Sequence, residues 1–488
     1  MRDTNMSSER TGRDGLNSRK DSTPPERSVV RDTNWMPWKT ILTALLFTAA
    51  MVSFKIFDPH TIPLVWQMPL PKPPVIEVPP VKHRLVIQGM ETEPAKSPAY
   101  SNLSDPKHEL DHFYAALAAD NAVVLHYGDS PTTADLITAD ARALLQKQFG
   151  DAGSGFVLIA RPWAWYGHRG VEMDSSDWKI DVAGVPGALK DGLNGLGAAT
   201  FRGSAGAMAR WTLKSAHSRV EIAYLTQPGG GTFSMEANTG DGVVNLGLAD
   251  TGGEQAPGYA TFQIPAGSNV VTLRVTQGSV RLFGADFRKS GPGVVYSSLG
   301  VNGANITLLS HALNGEHWAA QLRHYHPNLV VIAFGTNESG FPAFVNGTWG
   351  PELRAAVRRV QAAVPDASIL LMSPMDRGER KDSGDIGTIA SLPRLIEIES
   401  QAASEMGVAF FNTFEAMGGE GTMAKWYNGE PRLVGADFIH PLPAGARIVG
   451  ELLYNALRDG YNEYKRRQLK ELETRAEAQG STNSEPSN

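Results

Sequence analysis

The chain has 488 residues, of which 42% are hydrophobic and 20% charged, with a formal net charge of −6. This composition is ordinary for a globular protein, and the lack of a basic excess argues against nucleic acid as a partner. The chain contains no cysteine, which excludes disulfides, thiolate metal sites and a cysteine nucleophile.

The N-terminal residues divide into a polar tail and a short uncharged run. Residues 1–38 are rich in Arg, Asp, Ser and Thr, and this composition predicts a disordered tail. The run that follows is bounded by Lys39 and Lys55, which could snorkel to extend it toward the ~20 residues of a membrane span. We expect a single-pass, uncleaved signal anchor at residues 39–56, although a cleaved signal peptide and a core helix are alternatives. The basic tail would stay in the cytoplasm of a bacterium, with the rest in the periplasm or outside.

A proline-rich segment separates this anchor from the folded part. Residues 57–105 are predicted to form a semi-extended linker, because prolines recur at short intervals: Pro69, Pro71, Pro73, Pro74, Pro79 and Pro80.

The folded part begins with an α/β pattern that a β-rich segment interrupts. An apolar strand at residues 122–127 is followed by an amphipathic helix predicted at 131–149. Residues 165–287 are rich in Gly, Ser and Thr, and their short alternating runs predict an inserted antiparallel β-sandwich. Examples of these runs are residues 208–213, 220–225, 259–264 and 270–275.

The α/β pattern then resumes until residue 460. Apolar strands are predicted at residues 294–296, 329–334, 369–372 and 408–411, and helices at 308–324, 351–363 and 388–406. Strands alternating with helices predict a doubly wound, flavodoxin-like parallel sheet. We therefore expect one discontinuous α/β domain, 106–164 with 288–460, and a charged C-terminal tail at 461–488.

A serine, an aspartate and a histidine suggest nucleophilic catalysis. Ser130 follows the first strand at the start of a helix, where ligands bind in doubly wound sheets. His440 offers an imidazole, whose usual pKa of about 6.5 suits a general base, and Asp437 three residues earlier could orient it. Each signal alone has a plainer reading: Ser130 as a helix cap, and the Asp-x-x-His pair as a surface loop.

Two further residues could stabilise an oxyanion. Asn337 follows the strand at residues 329–334 and could donate its amide N–H, unless it is only a cap or a turn residue. Gly303 follows the strand at 294–296, where a glycine lets the backbone N–H approach a substrate.

These four signals occur in the order of the marker residues of the SGNH or GDSL hydrolase superfamily, and the chain resembles that superfamily over its α/β parts. Gly128-Asp129-Ser130 resembles the first block, Gly303 (rather than Gly300) the second, Gly335-x-Asn337 the third and Asp437-x-x-His440 the fifth. Pro131 departs from the leucine of the first block. The resemblance implies Ser130, Asp437 and His440 as the catalytic triad. It also implies an oxyanion hole formed by the Ser130 and Gly303 backbones and the Asn337 side chain.

A narrower resemblance concerns the substrate. The stretches 148–156 and 300–304, with a β-sandwich inserted between the first two blocks, are similar to bacterial peptidoglycan O-acetylesterases, whose inserted module resembles carbohydrate-binding jelly rolls. This implies an acetylesterase that acts on a cell-envelope polysaccharide and needs no metal or organic cofactor. The alternatives are a polysaccharide O-acetyltransferase with the same residues, and a carbohydrate-binding wall protein with an inert hydrolase domain.

Other side chains gave weaker signals. A metal site is not favoured at the clustered histidines, because no His-Glu-x-x-His motif or carboxylate triad accompanies them: His311, His317, His324 and His326. Arg377 and Arg380 either line the substrate mouth or form a solvated loop. Trp163, Trp165 and Tyr166 either stack on sugar rings or pack between the two parts of the protein.

Overall fold

A computed structural model describes residues 102–482, with side-chain surroundings to residue 475. The predicted tail, anchor and almost all of the linker lie outside these residues. Within residues 102–482, no helix combines the length and the apolar character that crossing a membrane requires.

The strands of the described part follow in chain order. They are β1 Leu103–Ser104, β2 Asn121–Gly128, β3 Gly153–Val157, β4 Val171–Ser176, β5 Lys179–Val182, β6 Ala199–Ser204, β7 Met208–Leu213, β8 Arg219–Thr226, β9 Thr232–Thr239, β10 Gly242–Asp250, β11 Ala256–Gln263, β12 Val270–Gln277, β13 Ser279–Arg288, β14 Gly293–Gly300, β15 Leu329–Ala333, β16 Ser368–Met372, β17 Gly378–Arg380, β18 Ile386–Thr388 and β19 Ala409–Phe411.

The helices lie mostly in the α/β part. They are α1 Asp111–Ala118, α2 Ser130–Thr133, α3 Ile137–Phe149, α4 Gly315–Tyr325, α5 Pro342–Phe344, α6 Gly350–Ala363, α7 Leu392–Met406, α8 Thr413–Ala416, α9 Thr422–Asn428 and α10 Pro443–Thr482, with π-helical turns at Leu308–Ala312 and Val345–Trp349 and a 3₁₀ turn at Glu338–Gly340.

The α/β part is built on one six-stranded sheet in the order β1-β19-β16-β15-β2-β14. All neighbouring pairs are parallel except the two-residue edge strand β1, which is antiparallel to β19. The five parallel strands have the flavodoxin-like order 2-1-3-4-5 when they are numbered along the chain. The predicted doubly wound fold is confirmed. The switch point of the topology lies at the carboxyl end of β2, where Ser130 follows.

The predicted helix at residues 131–149 is wrong in one respect, because the chain breaks it in two. Asp135 has a φ of +52° and ends the short helix α2 before α3 begins. Its buried carboxylate accepts hydrogen bonds from Thr138 and Arg142, and these contacts stabilise a left-handed conformation that aspartate tolerates. The apolar periodicity continues across this turn, so the sequence pattern did not reveal it.

The inserted part is a sandwich of two antiparallel sheets, as predicted. One sheet has the order β10-β9-β12-β7-β4 and the other β11-β8-β13-β6-β5, with β3 also paired to β13. Strand β3 falls in the range assigned above to the α/β domain, yet its pairing of Val157 with Ala285 makes it a strand of the sandwich. Alternating apolar side chains fill the space between the sheets, including Trp211, Phe233, Leu273 and Phe287.

The sandwich and the α/β sheet share one hydrophobic core. Tyr127 and Val330 of the α/β sheet belong to the same buried cluster as Phe156 and Phe283 of the sandwich. The opposite face of the α/β sheet has a separate core, which α1, α3 and α10 cover. The insert is therefore an integral layer of the folded protein, and it stands next to the strands that carry the candidate site.

Candidate active site

Ser130 is the first residue of α2 and lies directly beyond the carboxyl end of β2. The turn is tight, because a Cβ on Gly128 would lie 2.2 Å from the Thr132 hydroxyl. Pro131 occupies the first turn of the helix, where its missing N–H costs no hydrogen bond. The departure from the family's leucine at this position is therefore compatible with the local fold.

His440 connects the serine to an aspartate. Its Nε2 lies 2.7 Å from Ser130 Oγ, and its Nδ1 lies 2.7 Å from Asp437 Oδ2. Both side chains of the Asp–His pair are about half exposed, at 48% and 46%. The structure thus brings the three predicted residues into one hydrogen-bonded chain across 310 residues of sequence.

The loop that carries this pair is closed by its own hydrogen bonds. Asp437 Oδ1 accepts the backbone N–H groups of Ile439 and His440, at 3.0 and 3.1 Å. Partial burial raises the pKa of Asp437, but these hydrogen bonds and the one to the His440 ring outweigh it and leave the pKa below its usual value. Phe438 has a φ of +59°, and its ring packs at 4.7 Å against Tyr427. The carboxylate is therefore ionised and fixed in place to orient the imidazole.

The two candidate oxyanion residues lie in loops that contact each other. The Asn337 amide donates to the backbone oxygen of Ala304, 2.7 Å away and one residue beyond Gly303. Gly303 has a φ of +70° with open space around its missing side chain, which suits a backbone N–H that faces a substrate. Gly300 instead packs closely, since a Cβ there would lie 2.4 Å from the Thr133 nitrogen. Gly303 thus has the open surroundings that the predicted oxyanion role requires, whereas Gly300 is packed.

Two buried carboxyl groups, whose role the sequence does not reveal, hold these loops together. Glu338 accepts the N–H of Ile306 at 2.7 Å and that of Gly335 at 3.1 Å, so it ties the second-block loop to the third. Asp129 accepts the N–H of Thr336 at 3.2 Å. Burial raises the pKa of Asp129 to about 8 and that of Glu338 to about 7. Asp129 lies inside the first block and Glu338 directly follows the third, but carboxylates in loops usually indicate a solvated surface.

A cavity of about 370 Å³ opens at Ser130 and His440. Its other walls are mostly small or apolar side chains: Pro131, Ala134, Leu136, Trp165, Asn302 and Pro441. The indole N–H of Trp165 donates to Asn302 Oδ1 at 3.2 Å. Asn302 lies in the 300–304 stretch, whose sequence assigns it no role, and the structure adds it to the site.

The two candidate arginines and the four candidate metal-ligand histidines do not line this cavity and make contacts elsewhere in the fold. Arg377 donates to the Thr336 carbonyl and the Ser339 hydroxyl and so supports the third-block loop, whereas Arg380 donates to the Gly384 carbonyl at 2.7 Å. The histidines are dispersed: His311 pairs with Glu352, His324 pairs with Glu221, His317 is buried, and His326 ends α4. In the part of the chain that the structure describes, no three His, Asp or Glu side chains form a group that could hold a metal ion.

Comparison with known proteins agrees with this architecture. The model of the GDSL-like lipase/acylhydrolase family matches residues 264–448. A search of curated protein sequences finds no match. A solved structure described as a peptidoglycan O-acetylesterase in action superimposes with a TM-score of 0.63 at 19% identity, covering 74% of this chain and 99% of that chain. At this identity the likeness establishes the fold alone.

Two carbohydrate esterases are more distant. Family two enzymes from Clostridium thermocellum, in complex with cellohexaose, and from Cellvibrio japonicus are 14% and 11% identical, each with a TM-score of 0.25. They cover 54% and 60% of this chain, and 95% and 98% of their own chains. Residues 264–448 of this chain thus match the GDSL-like lipase/acylhydrolase family, and the α/β part has the predicted fold of the SGNH hydrolases.

Proposed function

We propose that this protein is a serine esterase that removes O-acetyl groups from a cell-envelope polysaccharide, namely peptidoglycan. The observation that carries the proposal is the chain of two 2.7 Å contacts from Asp437 through His440 to Ser130, which ends in an open cavity. This arrangement is the one that activates a serine hydroxyl for attack on an ester.

In the first step, His440 Nε2 takes the proton of the Ser130 hydroxyl while Oγ attacks the acetyl carbonyl carbon. Asp437 stabilises the imidazolium that forms and holds Nδ1 as a donor. The tetrahedral intermediate carries a negative oxygen. The N–H groups of Ser130 and Gly303 and the Asn337 amide would stabilise this oxygen.

Collapse of the intermediate breaks the bond between the acetyl carbon and the sugar oxygen. His440 returns its proton to that oxygen, and the sugar leaves with a free hydroxyl. Water then attacks the acetyl–Ser130 ester with His440 again as base, which releases acetate and restores the serine. The nucleophile, the base and the oxyanion donors of this scheme all belong to the chain itself.

The choice of an acetyl ester rests on the site and on likeness. A cavity of about 370 Å³ bounded by Pro131, Ala134 and Pro441 has room for a small acyl group and part of a sugar ring. The family match supports ester hydrolysis, and the solved structure that superimposes with a TM-score of 0.63 is described as a peptidoglycan O-acetylesterase. Because fold does not set substrate, the polysaccharide is a proposal.

Acetate release from three substrates tests this function. The full-length protein should release acetate from O-acetylated peptidoglycan and from an aryl acetate, and faster from peptidoglycan than from acetylated xylan. The Ser130→Ala variant serves as the blank. Transfer of acetyl to an oligosaccharide with little free acetate would assign the protein to the acetyltransferases instead.

We also propose that residues 39–56 anchor the protein in the bacterial inner membrane, with the hydrolase in the periplasm. Support comes from the uncharged run after Lys39 and from eight Lys and Arg residues up to that point, which favour a cytoplasmic tail. Protease added to spheroplasts should then cleave within residues 106–460. A hydrolase domain that stays intact until the membrane is broken would contradict this topology.

A further inference from the structure

One tryptophan lies exposed at the mouth of the cavity, and packing does not account for its position. The segment from β3 to β4 carries three aromatic side chains, of which Tyr166 is buried and Trp163 half-buried. The Tyr166 hydroxyl accepts the N–H of Leu158 at 3.0 Å, and its ring meets that of Trp163 edge to face at 6.4 Å. Trp165 lies between these two packed residues, but 56% of its surface is exposed. Such exposure of a large apolar ring is informative when it occurs beside a cavity.

A hydrogen bond at one edge of the Trp165 ring holds it beside the candidate site. It lines the same cavity as Ser130 and His440. Its Nε1–H donates to Asn302 Oδ1 at 3.2 Å, and Asn302 directly precedes Gly303 in the second-block loop. The indole is thus oriented by its polar edge, which leaves a broad apolar face for a ligand.

The backbone that presents Trp165 is also fixed. The N–H of Tyr166 closes a turn onto the Trp163 carbonyl at 3.1 Å. Further along, the N–H of Arg169 donates at 2.7 Å to the buried carboxylate of Asp135, five residues after the serine. A ring mounted on such a turn loses little conformational entropy when a ligand packs on it.

We propose that Trp165 is a specificity-determining residue that stacks on the pyranose ring whose acetyl group Ser130 attacks. This inference rests on the proposed function and adds the sugar subsite to it. A pyranose offers a face of C–H groups to an indole and a rim of hydroxyls to polar neighbours such as Asn302, so the two side chains match a sugar ring. The other apolar ligand that the cavity could take is a longer acyl chain. The large exposure of Trp165 favours the sugar, because an acyl chain is better held in an enclosed cleft.

The test compares three substrates, namely O-acetylated peptidoglycan fragments, an aryl acetate and a long-chain acyl ester. Each is assayed with four forms of the full-length protein: wild type, Trp165→Ala, Trp165→Phe and Leu248→Ala. Leu248 is a matched control, since it is 63% exposed on the sandwich strand β10 and does not line the cavity. We expect Trp165→Ala to lose about tenfold in kcat/KM on O-acetylated peptidoglycan fragments, mostly through KM, because an aromatic stack is removed. On an aryl acetate the loss should stay within about twofold. Trp165→Phe should restore about half of the lost activity, and Leu248→Ala should match the wild type.

The outcomes separate the inference from the function on which it rests. If the wild type hydrolyses the peptidoglycan fragments and the aryl acetate and Trp165→Ala loses both activities equally, Trp165 only positions the second-block loop and the sugar subsite is wrong. If Trp165→Ala instead loses activity on long-chain acyl esters alone, the residue belongs to an acyl subsite. If the wild type hydrolyses the aryl acetate but no acetylated glycan, the proposed polysaccharide function fails together with the subsite.

Discussion

Tyr259 and His324 stack face to face, with ring centroids 3.4 Å apart and planes within 5° of parallel. Tyr259 lies on β11 of the sandwich and His324 on α4 of the α/β part, so this pair joins the insert to the hydrolase. Glu221 of the sandwich strengthens the contact, because its carboxylate lies 2.8 Å from the His324 ring. Beneath the stack, Phe156 meets Tyr325 edge to face at 5.8 Å. Excising the insert would therefore uncover the shared core, and single substitutions are the sounder way to examine its role.

Replacing His324 by alanine should weaken this junction without disturbing the chemistry. The variant loses one aromatic stack and one partly exposed hydrogen bond to Glu221, so we expect the free energy of unfolding to fall by about 1–2 kcal/mol. The kcat for a small aryl acetate should stay within about twofold of the wild type. Urea unfolding measures the first quantity. His311→Ala is the control, since His311 is an exposed histidine paired with a glutamate but not stacked on a ring. Equal effects of the two substitutions would show that the stack contributes nothing.

Replacing Ser130 by alanine should abolish turnover and leave the fold intact. Loss of the nucleophile in a serine hydrolase typically lowers the rate by about 10⁴–10⁶-fold. The Ser130 side chain hydrogen-bonds His440 and is not a core residue, so the unfolding transition should not move. Aryl acetate hydrolysis measures the activity, with the exposed loop residue Ser383→Ala as control. Activity within a hundredfold of the wild type would assign the nucleophile elsewhere.

Asn337 should act on kcat rather than on KM. If its amide binds the developing oxyanion, Asn337→Ala loses about 10²–10³-fold in kcat with little change in KM. Asn337→Asp keeps the size of the side chain but removes the donor, so it should lose at least as much. Because Asn337 also donates a hydrogen bond to Ala304, a loss of stability has to be distinguished from a loss of oxyanion binding. Asn314→Ala does this: it removes the N-cap of α4, which should lower stability by about 1 kcal/mol and spare kcat. An effect of Asn337→Ala confined to KM would make it a binding residue.

The parallel sheet and the side chains of Ser130, His440 and Asp437 were predictable because each has a local sequence pattern. Buried parallel strands such as β15 are short runs of apolar residues, and the sheet topology then brings their carboxyl ends together. Residue type identified Ser130 and His440, since few other side chains can serve as nucleophile and base. Their distance of 2.7 Å depends on the folded loops and could not be read from spacing.

The features that could not be predicted from the sequence depend on tertiary contacts. The break at Asp135 interrupts a continuous helical period, because a buried arginine from the next helix stabilises the turn. Strand β3 joins the sandwich rather than the α/β sheet, since its partner β13 is more than a hundred residues away. Glu338 looks like a solvated loop acid until its two backbone partners are seen.

Asp135 should be a large contributor to stability. Burial raises the pKa of its carboxyl, but the charge of Arg142 and several hydrogen bonds outweigh burial and lower the pKa to about 2. Asp135→Asn leaves the buried Arg142 guanidinium without its anion, and this should cost about 3–5 kcal/mol. Because the folded pKa is depressed, the contribution is present above pH ~4 and lost as the pH falls toward 2. The difference in the free energy of unfolding between wild type and variant, measured in urea, should therefore become smaller as the pH falls from about 4 to about 2. Asp366 is an exposed acid, so Asp366→Asn should not change the free energy of unfolding in this way. If the loss of stability in Asp135→Asn did not depend on pH, Asp135 and Arg142 would not form an ionised pair.

Glu399 carries a buried carboxyl group on the inner side of α7. Its side chain is 1% exposed, and neither oxygen has a hydrogen-bond partner among the described residues. Burial raises its pKa well above the usual value, and the nearby Glu338 raises it further. The folded protein therefore prefers the neutral acid, whereas the unfolded chain ionises near pH 4.5.

A raised folded pKa means that the stability linked to Glu399 is full below pH ~4.5 and is lost as the pH rises through the folded value. Glu399→Gln keeps the shape and removes the ionisation. We expect wild type and variant to unfold at similar urea concentrations at pH 4, and the variant to become more stable by about 1–3 kcal/mol at pH 8, because it no longer carries a buried group that tends to ionise. Glu397→Gln, an exposed acid on the same helix, should leave the pH dependence of the wild type unchanged. The free energies of unfolding of Glu399→Gln and wild type could instead change in parallel from pH 4 to pH 8. In that case Glu399 ionises as freely in the folded protein as in the unfolded chain, and water or a cation must lie beside it.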